Sequence, residues 1–315
     1  MDTKDLRFAV SASPHIRSHV STFTIMRNVI IALLPTLAAS VILFGLRALA
    51  VTTVSVASCV LCEVIWCALR KEPQSFKDLT AVITGLLLAF NLPVSVPLYI
   101  PVIGAFTAIV VVKLLFGGLG RNFANPAIVA RITLAVSFPS LMTDYRFPEP
   151  LIACDALTSA TPLAAAKTGA ELSLIDLLLG THGGVMGETC AIAILLGLVW
   201  LLATHTIEFT IPAVYMGTVV LFSAVFGRNP LYDLLSGGLM LGAVFMATDY
   251  VTSPYTRKGR VFFALGCGLL TCLIRFWGNM NEGVSYSILI MNLLVPFINE
   301  KCRKIPMGGE KKKVK

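Results

Sequence analysis

Charge is what this sequence has least of. Of its 315 residues only 13% are Asp, Glu, Lys or Arg, while 56% are hydrophobic and the mean hydropathy is +0.83. That is about half the charge of an ordinary soluble domain, which excludes a water-soluble enzyme. The same apolar excess excludes intrinsic disorder. There is no Walker loop, dinucleotide fingerprint or hydrolase triad, so no such nucleotide-binding or hydrolytic site is expected in this chain. The 8 cysteines are scattered through apolar segments, which excludes a disulfide-stapled secreted fold. Residues 1–27 are polar and carry no apolar core followed by a small-residue cleavage site, so no cleavable signal peptide is expected.

What the sequence does have is a series of uncharged runs. Residues 28–46, 189–207 and 209–227 carry no charge, and 79–112 is a longer run interrupted by Pro93, Pro97 and Pro101. Runs of about 20 apolar residues are long enough to cross a bilayer. Adding 48–69 with Glu63, 122–142 with Arg131, and 234–250, 260–277 and 283–299, and splitting 79–112 near Pro93, predicts about ten crossings. The net charge of +8 is a topology signal rather than a nucleic-acid one. Placing 1–27, 70–78, 113–121, 205–208, 252–260 and 300–315 in the cytoplasm puts most Lys and Arg inside, so both termini are expected there. The basic tail around Lys311 to Lys313 reads as a contact with anionic lipid.

The expected organisation is a cytoplasmic N-terminal segment 1–27, a five-helix half 28–142, an extracytoplasmic loop 143–188, a second five-helix half 189–299 and a cytoplasmic tail 300–315. The halves echo one another. Asp78-Leu79, Gly85 and Asn91 in the first find counterparts in Asp233-Leu234, Gly242 and Thr248-Asp249 in the second. Halves of five spans enter the membrane with opposite orientation, giving an all-α polytopic protein of two inverted repeats with broken helices. Asn91, Asn122, Asn125, Thr248 and Asp249 then lie where helices stop and backbone dipoles face a cavity. Asp249 is the most costly to hold in a membrane. It has three readings: a cation site, a contact to a polar cofactor, or a carboxylate at headgroup level.

The one long polar excursion, 143–188, contains Asp155-Ala156-Leu157-Thr158-Ser159-Ala160-Thr161-Pro162-Leu163. On its own terms this is a hydroxyl-rich turn in which Ser159 or Thr161 caps a helix beginning at Pro162. With Gly117-Gly118-Leu119-Gly120-Arg121-Asn122, Asn125-Pro126-Ala127 and the ten-span layout, it makes the whole chain resemble the D subunits of Rnf complexes, membrane ferredoxin:NAD oxidoreductases. A more distant likeness is to the B subunits of sodium-pumping NADH:quinone reductases. A longer N-terminal extension in the latter group favours the Rnf branch.

The resemblance implies FMN held through a phosphoester at Thr161, on an exposed turn, with Asp155, Thr158, Ser159 and Ala160 completing the attachment motif. Glycine often replaces Ser159 in relatives. A separate flavin transferase would supply FMN from FAD, and a non-covalent riboflavin would lie in the membrane part. Candidates for that second flavin, or for an ion path, are Gly118, Asn122, Asn125 and Asp249, with Phe90, Phe123 and Phe245 as stacking partners. The implied role is relaying electrons between ferredoxin and NAD through flavins, coupled to Na⁺ or H⁺ translocation in a bacterial or archaeal cytoplasmic membrane. Such a chain is not catalytic alone. Its partners would be the A, B, C, E and G subunits of the Rnf complex, the transferase and membrane lipid, with no nucleic acid. A small-solute channel without a redox cofactor and a purely structural scaffold are the alternatives.

Other residues read more plainly. Cys59, Cys62 and Cys67 have no histidine near them in sequence and behave as small buried hydrophobes. His15 and His19 are four apart, a spacing that allows one helix face, but without a carboxylate they make a weak metal site, and contact with a partner or lipid is the expected role. His182 lies in the same loop as Thr161 and is a candidate flavin contact, and His205 sits near the end of a span, followed by Glu208.

Overall fold

Residues 21–71, 78–145, 161–163, 173–278 and 283–303 of the computed structural model are described; among them there are helices and no strand. Asp155, Thr158, Ser159, Ala160, His15, His19 and the tail lysines lie outside these residues.

The first helix, α1 (Thr22–Arg70), opens at Ser21, whose side chain accepts from the Thr24 amide at 3.2 Å. It breaks at Gly45, which adopts φ 68° and ψ −160°, a backbone conformation that favours glycine. The two expected spans 28–46 and 48–69 therefore form two limbs of one element. The first limb packs on α7 (Ala191–Ala203) and the second on α2 (Thr80–Phe90) and α3 (Tyr99–Leu114). Arg47, just past the break, donates to the Val96 carbonyl at 2.8 Å. The α3 helix ends as a π-helix over Phe106–Leu114.

The chain continues through α4 (Pro126–Ser137), α5 (Pro139–Met142) and α6 (Leu174–Leu179), then α7. Beyond it come α8 (Thr210–Val225), α9 (Pro230–Leu235) and α10 (Leu239–Leu241), which runs on as a π-helix to Met246. The last two are α11 (Arg257–Trp277) and α12 (Val284–Lys301). Phe90, Tyr215, Phe245 and Phe263 share one apolar core, and Leu88, Ile100, Ile109 and Leu134 a second.

Helix lengths differ from the expected series of similar crossings. Among the described residues only Thr22–Arg70 and Arg257–Trp277 are both long and apolar enough to span a bilayer; five other apolar helices have 10–17 residues. The run 79–112 does divide around Pro93. Lys113 at the end of α3 reaches Thr80 at the start of α2, with Nζ 2.7 Å from Oγ1, so the two helices form a hairpin whose bend is Asn91–Leu98. A helix that stops in an apolar surround must pair its last carbonyls elsewhere. The supposed outer loop does this: the Gly187 amide donates to Phe90 O at 3.0 Å and the Met186 amide to Leu92 O at 3.2 Å. The end of the 143–188 excursion is therefore buried rather than solvated, with Glu188 and Thr189 in the interior.

Close backbone contact explains Gly85. A β-carbon there would stand 2.6 Å from Val56 Cα, and the Gly85 carbonyl accepts from Ser55 Oγ at 2.8 Å. Gly85→Val is expected to cost about 2 kcal/mol by overpacking, seen as a lower melting temperature in detergent. Gly217→Ala, whose β-carbon would meet nothing within 4 Å, should leave it almost unchanged.

Candidate functional site: two polar clusters at the helix breaks

The first cluster surrounds a cavity between the two halves of the chain. Its wall takes Thr80 and Thr84 from α2, Lys113 from α3, Asn122 and Asn125 from the loop before α4, and Phe245, Thr248 and Asp249 from the break after α10. Asn125 caps α4, accepting from the Ala127 amide at 3.0 Å, and its Nδ2 donates to Met246 O at 3.2 Å, tying the two breaks together. Asn292 of α12, which no sequence pattern singles out, closes the arrangement. It donates to Thr252 O at 3.1 Å and accepts from the Asn125 amide at 3.2 Å. The Asp249 carboxylate accepts from the Thr252 hydroxyl at 2.9 Å. Among the described residues nothing donates to the buried Asn122 Oδ1, which leaves an acceptor ready for an N–H donor.

Asn122, Asn125, Asp249 and Phe245 thus line one space. Three other candidates do not. Gly118 lines a separate cavity beside Arg121. Phe90 is fully buried beneath Gly187, which leaves no ring face for a ligand, and Phe123 is taken up by Phe116 at a centroid distance of 4.8 Å.

Lys113, which the charge pattern assigned to a cytoplasmic loop, is only 2% exposed and forms an ion pair with Glu63 at 2.7 Å. The sequence carried a signal for it. Glu63 was the lone acid in its apolar run, and a buried carboxylate needs a cation.

The second cluster is where Thr161 lies. Thr161 was expected on an exposed turn, yet it is only 5% exposed. The cause is local: the Tyr232 hydroxyl of α9 donates to Pro162 O at 2.8 Å, and Leu163 packs over Gly237. The helix α9 that presents Tyr232 is itself fixed at several points. Asn229 caps it, Asp233 accepts from Ser223 at 2.8 Å and from Arg228 Nε at 3.0 Å, and Arg275 Nη1 donates to Asp233 O at 2.6 Å. Arg275 Nη2 also bonds the Ser236 and Gly237 carbonyls. Deeper in, Arg131 donates to Asn91 Oδ1 at 2.7 Å, and Glu188 Oε2 approaches Gly238 so closely that a β-carbon there would stand 2.6 Å away.

Among the described residues several buried atoms in this region lack hydrogen-bond partners: Arg275 Nε, Ser236 Oγ, Thr189 Oγ1 and Glu188 Oε2. A guanidinium N–H and a hydroxyl suit a phosphate; the Glu188 carboxylate does not, unless protonated.

His182 is in the loop between α6 and α7 and is only 2% exposed. Burial pushes its imidazole down to about 4, against the opposing pull of Asp176. The Asp176 carboxylate is held below the usual range by the hydroxyls of Ser173 and Thr181. Because the folded state holds His182 neutral, its contribution to stability is full above the unfolded value near 6.5 and is lost as pH falls through about 4. The expected loss is roughly 3 kcal/mol, read as a falling melting temperature between those pH values that His182→Gln flattens.

Among the described residues no group of three or more His, Cys, Asp or Glu is placed to hold a metal ion. Cys59 is fully buried, in keeping with a packing role.

Residues 9–308 match the model of the NQR2, RnfD, RnfE family. The chain is 48% identical over 299 residues, 93% of each chain, to the D subunit of the Na(+)-translocating ferredoxin:NAD(+) oxidoreductase complex of Acetobacterium woodii. It is 39% identical to the D subunit of the proton-translocating ferredoxin:NAD(+) oxidoreductase complex of Clostridium ljungdahlii, over 96% of each chain. It is also 39% identical to the D subunit of the ion-translocating oxidoreductase complex of Stutzerimonas stutzeri, over 93% of each. With helices and no strand among the described residues, and a match along nearly its whole length, the chain belongs to the NQR2, RnfD, RnfE family.

Proposed function

We propose that this chain is the flavin-carrying membrane subunit of an Rnf-type ferredoxin:NAD oxidoreductase, relaying electrons between flavins and coupling that transfer to Na⁺ or H⁺ movement. Near full-length similarity to proteins named as D subunits of such complexes supports the assignment. The observation that carries the flavin reading is the cavity where Asn122, Asn125, Thr248 and Asp249 converge at two helix breaks.

Bound flavin supplies the redox chemistry; the protein supplies position, polarity and exclusion of water. In the proposed second-flavin cavity, Asn122 Oδ1 would be available to an N–H donor of the ligand, Phe245 and Val244 would bound its apolar part, and Asn125 ties the breaks before α4 and after α10 together. At Thr161, FMN is held covalently through its phosphate. Arg275 and Ser236 offer the phosphate donors from nearby, and the α9 framework holds the Thr161–Leu163 segment in place. Asp155, Thr158, Ser159 and Ala160 form the rest of the attachment motif.

The inverted-repeat topology is part of the proposal. Leu79 before α2 and Gly238 before α10 both adopt positive φ, 61° and 66°, and both helices then stop short at a polar break. Such paired half-helices around a central space are what inverted repeats of odd span number produce. The termini would both be cytoplasmic, the Thr161 segment extracytoplasmic, and the partners the other Rnf subunits, with a flavin transferase acting during maturation.

Acid extraction of the purified chain tests the reading. Non-covalent flavin should appear in the supernatant and covalent flavin should stay with the protein pellet. A colourless chain from cells with an active transferase would favour the small-solute channel instead.

A further inference from the structure

A cavity of about 630 Å³ lies at the end of α1's second limb, lined by Trp66, Arg70, Leu115, Gly117, Gly118 and Arg121. It is separate from both polar clusters. The Arg70 guanidinium lies over the Trp66 ring at 5.2 Å, which fixes its direction. Arg121 folds back across Gly117: a β-carbon on that residue would stand 2.8 Å from Arg121 Cδ, and its φ of 106° favours glycine. Gly117 therefore serves to let Arg121 lie over this cavity. Among the described residues neither arginine has a carboxylate within ion-pair distance, while Glu63 is engaged by Lys113.

Two guanidiniums that share one cavity without an anion repel each other, and an anionic ligand removes that cost. Guanidiniums match phosphate oxygens in geometry as well as charge. The surroundings decide which phosphate. The rim is strongly apolar and open: Leu69 is 78% exposed, Leu115 57% and Phe116 51%, and α1 presents Leu61 and Ile65 along the same limb. A soluble anion gains nothing from such a rim, whereas an acyl chain lies along it.

We propose that this cavity binds the phosphate of an anionic phospholipid headgroup between Arg70 and Arg121, with the acyl chains along the outer face of α1. Basic pockets between helices at a membrane surface are built for this class of ligand. The site depends only on these residues and stands whether or not the chain carries flavin.

The test is titration of the purified full-length chain, in uncharged detergent, with phosphatidylglycerol and separately with phosphatidylcholine, read as lipid adducts by native mass spectrometry. Phosphatidylglycerol should bind the parent chain at least about tenfold more tightly than the Arg70→Gln/Arg121→Gln variant, the scale of losing two charge-assisted contacts. Lys258→Gln/Lys301→Gln, an equal loss of two positive charges at exposed sites elsewhere, should bind as the parent does, which separates a defined site from general attraction. Unchanged melting temperature in the absence of lipid shows that the double variant is folded. Equal phosphatidylglycerol affinity in parent and double variant would overturn the proposal. So would equal affinity for phosphatidylcholine, or displacement by millimolar inorganic phosphate, which would mark a site for a soluble phosphoryl ligand.

Discussion

Thr161→Ala is expected to abolish covalently held flavin. In a denaturing gel, the chain made alongside an active transferase should fluoresce and the Thr161→Ala chain should be dark; peptide mass spectrometry across 155–167 should show the FMN mass only in the parent. Physically the loss is complete because an alanine offers no oxygen for a phosphoester. Thr161→Ser keeps the oxygen and should retain partial attachment. The buried setting of Thr161 makes the comparison more informative. Since Tyr232 and Leu163 hold this segment closed, Thr161→Ala, which removes only a methyl-sized group and a hydroxyl, should leave the melting temperature within a degree or two while removing all of the bound label. Fluorescence that persists in Thr161→Ala would place the flavin elsewhere.

Lys113→Met should be among the most destabilising single changes in the chain. The ammonium makes two contacts of 2.7 Å, to Glu63 Oε1 and to Thr80 Oγ1, and the side chains of the ion pair are 3% and 0% exposed. Removing the cation leaves the Glu63 carboxylate buried without it, at a cost of about 3–5 kcal/mol. The partner change Glu63→Gln, made together with Lys113→Met, removes the stranded charge and should recover most of the loss. Size-exclusion traces after brief heating would read both effects. If the single and double variants lose equal stability, the pair contributes by packing and not by charge. Because Lys113 also lines the inner cavity, the single variant should weaken any ligand held there, and the double variant should restore it only in part.

How much of this was legible can be followed through particular residues. The hairpin around Pro93 could be read from the sequence because proline interrupts an apolar run too long for one crossing. Asn125 was legible only as a polar residue at a helix break: it was expected where a helix stops, and the structure makes it the cap on which α4 starts. Lys113 was legible only in part: the lone acid Glu63 in its apolar run calls for a cation, but a lysine beside a glycine-rich loop normally points to water, and only the folded hairpin sets this one against Glu63 and Thr80. Tyr232 and Asn292 carried no signal at all, since each acts on a segment remote in the chain, Pro162 in one case and Asn125 in the other. Gly118 and Phe90 do not join Asn122 and Asp249 in the inner cavity for the same kind of reason: motif membership says nothing about which side of a loop faces which space.

The class of protein follows from the chain's composition, because scarcity of charge and the length of apolar runs are local quantities set by transfer into a bilayer. Short-range patterns of asparagine and proline likewise mark the polar break residues, whereas Thr161 stands out from the other hydroxyls of its turn only through the family resemblance. Folding in three dimensions settles the rest: α2 and α10 stop partway, the 183–190 loop supplies amides to the orphaned carbonyls of α2, and Thr161 is buried against α9. Those outcomes depend on hydrogen bonds and packing between segments far apart in the chain. In an apolar surround an unpaired backbone group is costly enough that a partner must be found, but composition and spacing do not specify which distant segment provides it.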